Sequence, residues 1–194
     1  MDYRFTQDWF SWSPPVWKQL AQHLPEGDFL EIGSFEGRST VWTIEHLMRD
    51  LDRIVCIDTW EGGEEHVHGE MANAEANFRH NIDLVGQAFP KRYVDVVKGL
   101  SVNALAAELD GGRNSYAFVY VDGSHIARDV LTDACMAWPL LRVGGFMVFD
   151  DYLWGDISRP NHTPKPAIDA FVNLFIEQLQ IVNMGYQFIV RKAR

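Results

Sequence analysis

The 194-residue chain lacks the features that mark several classes of protein. It has two cysteines, too few for a disulfide framework, and Cys56 and Cys135 both fall in apolar stretches that predict buried free thiols rather than a zinc site. No apolar run is long enough to span a bilayer, and the start of the chain, MDYRFTQDWF, has no apolar signal-peptide core. We therefore expect a cytoplasmic protein with no membrane partner.

Positive charge is also scarce. The chain has 17 Lys and Arg against 27 Asp and Glu, which gives a formal net charge of -10. Because a nucleic-acid backbone is bound by clustered Lys and Arg, and the sequence has no such cluster, we expect no nucleic-acid partner. Internal repeats and low-complexity segments are missing too, and the length fits one domain with a sizeable core.

The chain does have a glycine-rich junction at residues 29–39, FLEIGSFEGRS. A short apolar run predicts a buried strand, which breaks at Gly33 and Gly37 before a helical pattern begins. Such a junction presents backbone N–H groups and a helix N-terminus to a ligand, unless it is an ordinary strand–helix turn. Glu31, just before the turn, can accept hydrogen bonds from an amino group or a hydroxyl. The dinucleotide pattern G-x-G-x-x-G is missing.

Further apolar runs alternate with helical patterns along the chain. The later strands are predicted at residues 53–60, 93–99, 116–121 and 143–149, with a terminal hairpin over 180–192. The last two helices are predicted at residues 126–141 and 167–179. This order predicts an α/β fold with a doubly wound, mostly parallel seven-stranded sheet, helices on both faces and a C-terminal antiparallel hairpin. Residues 28–194 are predicted to form a single domain, with the aromatic segment and helix of residues 1–27 packed on its core.

Acidic residues follow the predicted strands. Asp58 closes the second strand, where its two oxygens can hold a ribose diol, although it can also cap the following turn. Asp122 follows the fourth strand, and the pair Asp150 and Asp151 follows the fifth; together they form a hard-oxygen set suited to Mg²⁺. Alternatively, Asp122 binds polar groups of a cofactor or substrate directly, and one of the pair caps a turn. His125, whose imidazole titrates near neutrality, is the candidate general base or else a packing residue at a helix start.

Together these segments resemble the class I S-adenosylmethionine-dependent methyltransferases over residues 28–152. The resemblance rests on the E-x-G-x-x-x-G motif and on CIDTWEGG, VDGSH and FDDY, and it points to small-molecule and sugar O-methyltransferases. It implies S-adenosylmethionine as the cofactor, a hydroxylated small-molecule acceptor, and His125 and Asp122 as catalytic residues. The implied cofactor-binding residues are Glu31, Gly33, Ser34, Gly37, Ser39, Asp58, Thr59, Gly99, Leu100, Ser101 and Asp122. The implied ligands of Mg²⁺ are Asp122, Asp150 and Asp151.

Other interpretations stay open at this point. The same fold can serve an NAD- or other nucleotide-dependent enzyme that uses Asp58 for the ribose, or a non-catalytic binding module. The aromatic N-terminus suggests packing on its own domain, a substrate wall or a homodimer contact. Tyr152 and Trp154 are expected to line the acceptor pocket or the core. His66 and His68 are spaced like a metal pair, but without a third ligand nearby they predict a solvated loop.

Overall fold

The computed structural model describes residues 1–63, 71–112, 115–156 and 158–194. The strands in these ranges are β1 (Asp28–Ile32), β2 (Arg53–Asp58), β3 (Tyr93–Lys98), β4 (Tyr116–Val121), β5 (Leu141–Phe149), β6 (Leu179–Met184) and β7 (Phe188–Lys192). The helices are α1 (Pro14–Ala21), α2 (Arg38–His46), α3 (Ala74–Ala88), α4 (Ser101–Gly111), α5 (Ala127–Ala137) and α6 (Lys165–Phe175), with a 3₁₀ turn at Pro160–His162. The predicted histidine pair, His66 and His68, lies outside the described residues.

The strands form one seven-stranded sheet in the order β3-β2-β1-β4-β5-β7-β6. Strands β1 to β5 run parallel, and β7 runs antiparallel between β5 and β6, which confirms the predicted fold. The strand order reverses between β1 and β4, so their carboxyl ends frame the crevice where ligands of such sheets bind. Within the described ranges, no helix is both long and apolar enough to cross a bilayer.

Side chains of the central strands alternate between two apolar cores. In β1, Phe29 joins the core beneath α1, α2 and α3, whereas Leu30 and Ile32 join the core beneath α4, α5 and α6. Both faces are covered by helices, which is why these strands read as continuous apolar runs. Both cysteines are free; Cys56 is buried in β2 as predicted, but Cys135 on α5 is only partly buried.

Trp17 on α1 joins the N-terminal segment to the sheet. Its fully buried ring makes edge contacts with Phe10, Phe118 and Tyr120, at centroid distances of 5.0, 4.9 and 4.9 Å. Its Nε1 donates a hydrogen bond to Oε1 of Gln187 at 2.8 Å. The ring is therefore buried with its one polar atom satisfied, which is the arrangement that a buried tryptophan needs.

The last two helices are shorter than predicted. Helix α5 ends at Ala137, four residues before the predicted end. Trp138 still has helical φ and ψ values, but Pro139 has no backbone N–H with which to continue the helix. Helix α6 ends at Phe175, because Leu179 already pairs with Lys192 in the terminal hairpin. The division of the chain after residue 27 stays a prediction.

Gly33, just after β1, allows the carboxyl ends of β1 and β4 to approach each other. Its φ is +85°, and its N–H donates to the carbonyl of Ile57 at 2.8 Å. A Cβ at this position would overlap the carbonyl oxygen of Asp122, just after β4. Glycine is therefore required here both by the backbone conformation and by the lack of space.

We predict that Gly33→Ala lowers the free energy of unfolding by about 3 kcal/mol, because the overlap and the left-handed backbone both oppose a side chain. Gly86→Ala is the matched control, since a Cβ at Gly86 in α3 meets no atom within 4 Å. That variant should be more stable than the wild type by roughly 0.5–1 kcal/mol. Urea denaturation measures both values, and equal stabilities of the two variants would contradict the prediction.

Asp133 on α5 is a buried carboxyl that accepts a hydrogen bond from the Ser101 hydroxyl on α4. Burial raises the pKa of Asp133 from 3.8 to about 6, while the Ser101 hydrogen bond opposes the rise and Asp129 adds to it. The folded protein thus keeps this proton to a higher pH than the unfolded chain does. The stability that the group contributes is full below the unfolded pKa and is lost as the pH rises through the folded pKa.

We therefore predict that the wild type loses about 2 kcal/mol of unfolding free energy relative to Asp133→Asn between pH 4 and pH 6. Urea denaturation at pH 4, 5 and 6 measures this difference. Asp83→Asn, which removes an exposed carboxylate from α3, should keep the pH dependence of the wild type. A constant difference between the wild type and Asp133→Asn across this range would show that the prediction is wrong.

Candidate active site

A cavity of about 360 Å³ opens at the edge where the parallel strands end. Its volume lies within the range of roughly 300–1,000 Å³ that is typical of small-molecule sites. The described residues that line it are Gln7, Trp9, Phe10, Trp12, Gly33, Ser34, Phe35, Arg38, Ser39, Asp58, Thr59, Gly62, Gly63, Met71, Tyr120, Asp122, Gly123, His125, Asp150, Asp151, Trp154 and Tyr186. They come from the carboxyl ends of β1, β2, β4 and β5, from the hairpin and from the N-terminal segment.

Glu31 at the end of β1 lies beneath the glycine-rich loop. Its Oε1 accepts a hydrogen bond from Ser39 Oγ at 2.5 Å, and its Oε2 accepts from Ser34 Oγ at 3.1 Å and from the Thr40 hydroxyl. Burial raises the pKa of Glu31, against the lowering effect of these hydrogen bonds. The carboxyl group thus holds the loop and the start of α2 to the sheet.

Asp58 at the end of β2 fixes the same loop from the cavity side. Its Oδ2 accepts hydrogen bonds from the backbone N–H groups of Ser34 at 2.7 Å and Phe35 at 2.8 Å. Its Oδ1 accepts from the backbone N–H of Trp60 at 2.6 Å. Because a carboxylate offers about four lone-pair positions, Asp58 keeps capacity to accept a hydrogen bond from a ligand hydroxyl.

Strained backbone gathers around the cavity. Three residues other than glycine that follow strands have left-handed φ values: Phe35 at 47°, Trp60 at 55° and Asp151 at 58°. Trp60 Nε1 donates to the carbonyl of Phe35 at 2.8 Å, which holds the two strained segments together. Such conformations cost about 1–3 kcal/mol each and cluster at functional sites, although a fourth one, at Leu51, lies elsewhere.

Tyr120 in β4 bridges two carboxyl groups at the cavity. Its hydroxyl lies 2.9 Å from Oδ2 of Asp122 and also hydrogen-bonds Oδ2 of Asp150. Asp150 further accepts from Gln187 Nε2 at 2.9 Å and from the backbone N–H of Asp151 at 2.8 Å. Asp150 is therefore tied into the protein from several sides.

The carboxyl groups of this cluster oppose one another's ionisation. Burial raises the pKa of Asp122 well above its usual range, and the charges of Asp150 and Asp151 raise it further. Burial, followed by the charge of Asp151, also raises the pKa of Asp150. A cation bound here would relieve this repulsion and favour the ionised carboxylates.

His125 is oriented by Asp151. Its Nε2 lies 2.7 Å from Oδ2 of Asp151, and the other oxygen of Asp151 accepts a hydrogen bond from the Tyr186 hydroxyl at 2.7 Å. The imidazole also packs against the ring of Trp154 at a centroid distance of 4.0 Å. The ring is thus fixed by a carboxylate on one side and an indole on the other.

Asp122, His125 and Asp151 can share a metal ion. Among the described residues, each of them offers one ligand atom, and these atoms all lie within 4.8 Å of one another. Two carboxylates and an imidazole are a donor set that fits a divalent cation. The group contains His125 and not Asp150, which is hydrogen-bonded to Tyr120 and Gln187; metal binding by Asp150 stays a prediction.

The structure brings most of the predicted site residues together. Those at the cavity are Gly33, Ser34, Ser39, Asp58, Thr59, Asp122, His125, Asp150 and Asp151. Those not among its lining residues are Glu31, Gly37, Gly99, Leu100 and Ser101. Ser101 bonds to Asp133 instead, and Leu100 is exposed to solvent. Cofactor contacts by these five residues stay predictions.

Three polar residues that contact the acidic cluster were not predicted from the sequence: Tyr120, Tyr186 and Gln187. Tyr120 lies in the wholly apolar and aromatic run of β4, where its ring reads as core. Tyr186 and Gln187 belong to the turn of the hairpin, and only the antiparallel pairing of β7 with β5 brings them to the acidic pair. In the sequence alone, a polar pair at a predicted turn does not indicate that it contacts the acidic residues.

Tyr152 and Trp154 were expected to line the acceptor pocket or the core, and the structure places one of them in each. Trp154 lines the cavity. Tyr152 is buried instead, with its ring 4.9 Å from that of Phe188 and its hydroxyl bonded to Asp169 and Lys165.

Comparisons with known proteins agree with this geometry. A family model described as a methyltransferase domain matches residues 30–152. No curated protein sequence matches the chain.

Three solved structures illustrate the likeness in fold. The O-methyltransferase from Bacillus cereus, in complex with SAH, is 19% identical with a TM-score of 0.71, over 98% of this chain and 84% of that one. The O-methyltransferase TomG from Streptomyces achromogenes, in complex with SAM, is 21% identical with a TM-score of 0.66, over 94% and 81%. The methyltransferase MycE of the mycinamycin pathway, in complex with Mg and SAH, is 16% identical with a TM-score of 0.66, over 97% and 51%.

The family model covers well over half of the chain, including the glycine-rich loop, Asp58 and the acidic cluster. This match confirms the resemblance seen in the sequence, and the solved structures agree with it in fold. The chain belongs to the family of methyltransferase domains and has their Rossmann-like fold.

Proposed function

We propose that the protein transfers a methyl group from S-adenosylmethionine to a hydroxyl group of a small-molecule acceptor. The observation that carries this proposal is that one cavity contains both the loop held by Asp58 and the cluster of Asp122, His125 and Asp151. The proposal is also supported by the O-methyltransferases among the proteins of similar fold.

The cavity has the groups that this cofactor requires. Asp58 lies at the end of β2, where it can accept hydrogen bonds from ribose hydroxyls while it fixes the loop. The acidic groups that line the cavity favour a positively charged group bound beside them. When bound, S-adenosylmethionine supplies an electrophilic methyl group on a cationic sulfur. Much of the acceleration then comes from holding the acceptor in line with that methyl group.

His125 is the candidate base for the acceptor hydroxyl. The ring lines the cavity and is bonded to Asp151 through Nε2, so it can take the hydroxyl proton. Asp151 then stabilises the imidazolium that forms, and Tyr186 keeps Asp151 in place. Asp122 is the alternative base. Burial and the neighbouring charges raise the pKa of its carboxyl group, and a carboxylate with a higher pKa accepts a proton more readily.

A divalent cation gives the same residues a different task. Asp122, His125 and Asp151 would hold it, as the mutual distances of their ligand atoms allow. Bound Mg²⁺ would lower the pKa of a coordinated acceptor hydroxyl. A chelator distinguishes the two roles, because it removes a metal ion and leaves a base in place. The complex of MycE with Mg and SAH favours testing the metal first.

We predict that S-adenosylmethionine and S-adenosylhomocysteine bind the protein in calorimetry and that NAD does not. Asp58→Asn should weaken the binding of both by about 10- to 100-fold, because hydrogen bonds to a charged group contribute about 1.5–3 kcal/mol each. Asp83→Asn on α3 makes the same charge change away from the cavity and should bind like the wild type. Binding of NAD in place of these ligands would instead favour a nucleotide-dependent oxidoreductase.

We further predict that Mn²⁺, used as a paramagnetic substitute for Mg²⁺, binds the wild type and that EDTA removes it. Asp151→Asn should abolish this binding, because it removes a central ligand, whereas Asp150→Asn should reduce it less. Electron paramagnetic resonance of free Mn²⁺ measures the bound fraction. A protein that leaves all Mn²⁺ free would exclude the metal site and leave His125 or Asp122 as the base.

A further inference from the structure

The N-terminal strap, defined as residues 3–12, lines one side of the cavity and contacts both the glycine-rich loop and the hairpin turn beside the acidic cluster. Trp9 stacks on Phe35 of the glycine-rich loop, with a centroid distance of 4.9 Å and an interplanar angle of 29°. Trp12 makes an edge contact with Tyr186, the residue that hydrogen-bonds Asp151, at 6.2 Å. Both indole rings also line the cavity.

A buried carboxylate attaches this strap to the loop. Glu36 has 2% of its surface exposed, and its Oε2 accepts a hydrogen bond from the backbone N–H of Thr6 at 2.5 Å. Its Oε1 accepts from the Thr6 hydroxyl at 3.0 Å and from Asn77 Nδ2 at 2.7 Å. A buried carboxylate is costly unless donors surround it, and two of these three donors belong to the strap. Detachment of the strap would therefore leave Glu36 with part of its hydrogen bonds unmade.

Two further contacts hold the strap at neighbouring positions. Asn81, which is fully buried, accepts a hydrogen bond from the N–H of Arg4 at 2.7 Å and donates to the carbonyls of Arg4 and Glu36 at 2.9 and 2.8 Å. The guanidinium of Arg38 donates to the carbonyl of Gln7 at 3.2 and 3.1 Å and lies 4.4 Å from the centroid of the Phe5 ring. Glu36 and Arg38 both belong to the loop and helix start that Asp58 and Glu31 fix.

We infer that attachment of the strap and binding of the cofactor stabilise each other, and that Glu36 is the positioning residue that couples them. This inference rests on the proposed function. A ligand that holds the loop in this conformation also holds Glu36 and Arg38 where the strap needs them. Conversely, the ligand meets the walls formed by Trp9 and Trp12 only when the strap is attached, so it binds the attached state more tightly. Cofactor binding then raises the fraction of molecules in which the acceptor wall at Trp12 is complete.

Hydrogen–deuterium exchange of peptides within residues 1–13 tests the coupling in the wild-type protein. Saturating S-adenosylhomocysteine should slow exchange in this segment, because the N–H of Thr6 is protected by Glu36 only when the strap is attached. By reciprocity, a variant with a loosened strap should bind S-adenosylhomocysteine more weakly, by a factor within the range of about 5- to 150-fold.

The variants separate a positioning role from a structural one. Thr6→Val removes the hydroxyl bond to Glu36 from an exposed position, so folding is not at risk, and Thr6→Ser keeps the hydroxyl and should restore wild-type affinity. Glu36→Gln should have the larger effect. One carboxylate oxygen, which accepts hydrogen bonds, is replaced by an amide N–H₂ group, which would then face a donor such as the backbone N–H of Thr6. Asp2→Asn, at an exposed site outside the strap, is the control.

Two failures are distinguishable. If S-adenosylhomocysteine binds the wild type, but exchange within residues 1–13 is unchanged and the Thr6→Val and Glu36→Gln variants bind like the wild type, the inference is wrong and the proposed function stands. The inference is equally wrong if these variants lose stability in urea without losing affinity. If the wild type binds neither cofactor nor product in calorimetry, the proposed function fails and the inference fails with it.

Discussion

The cavity depends on one buried carboxyl group, that of Glu31. It lies out of contact with water at the end of β1, so it requires hydrogen-bond donors, and hydroxyls of the loop and of α2 provide them. This bonding ties the helix start to the strand, sets the position at which Gly33 passes the end of β4, and places the loop N–H groups opposite Asp58. Glu31 thus shapes the site from beneath, without lining it.

The architecture could be predicted from the sequence because both of its signals are local. Apolar runs such as YAFVYV in β4 are strands covered on both faces, and their alternation with helical patterns allows few topologies. Element ends were less predictable. The end of α5 depends on Pro139, and the end of α6 depends on the pairing of Leu179 with Lys192, a contact between residues far apart in the chain.

The edge on which the site lies could also be predicted, since parallel strands end together, but the task of each residue there could not. Asp150 was expected to face a metal, and it is held by Tyr120 and by Gln187, whose distances from it in sequence are 30 and 37 residues. Residues 99–101 follow β3, the edge strand two places away from β1, and do not line the cavity, so their contact with the cofactor stays a prediction. The role of a residue at this edge depends on the order of the strands and on the partners of its side chain. The periodicity of apolar residues in the sequence gives neither.

A crystal structure with S-adenosylhomocysteine tests most directly whether the loop and the acidic cluster form one catalytic site. The ribose hydroxyls should bond to Asp58, and the sulfur should face the space bounded by Asp122, His125 and Asp151. A product molecule bound elsewhere, or one whose sulfur points away from that cluster, would contradict the assignment of methyl transfer to this cavity.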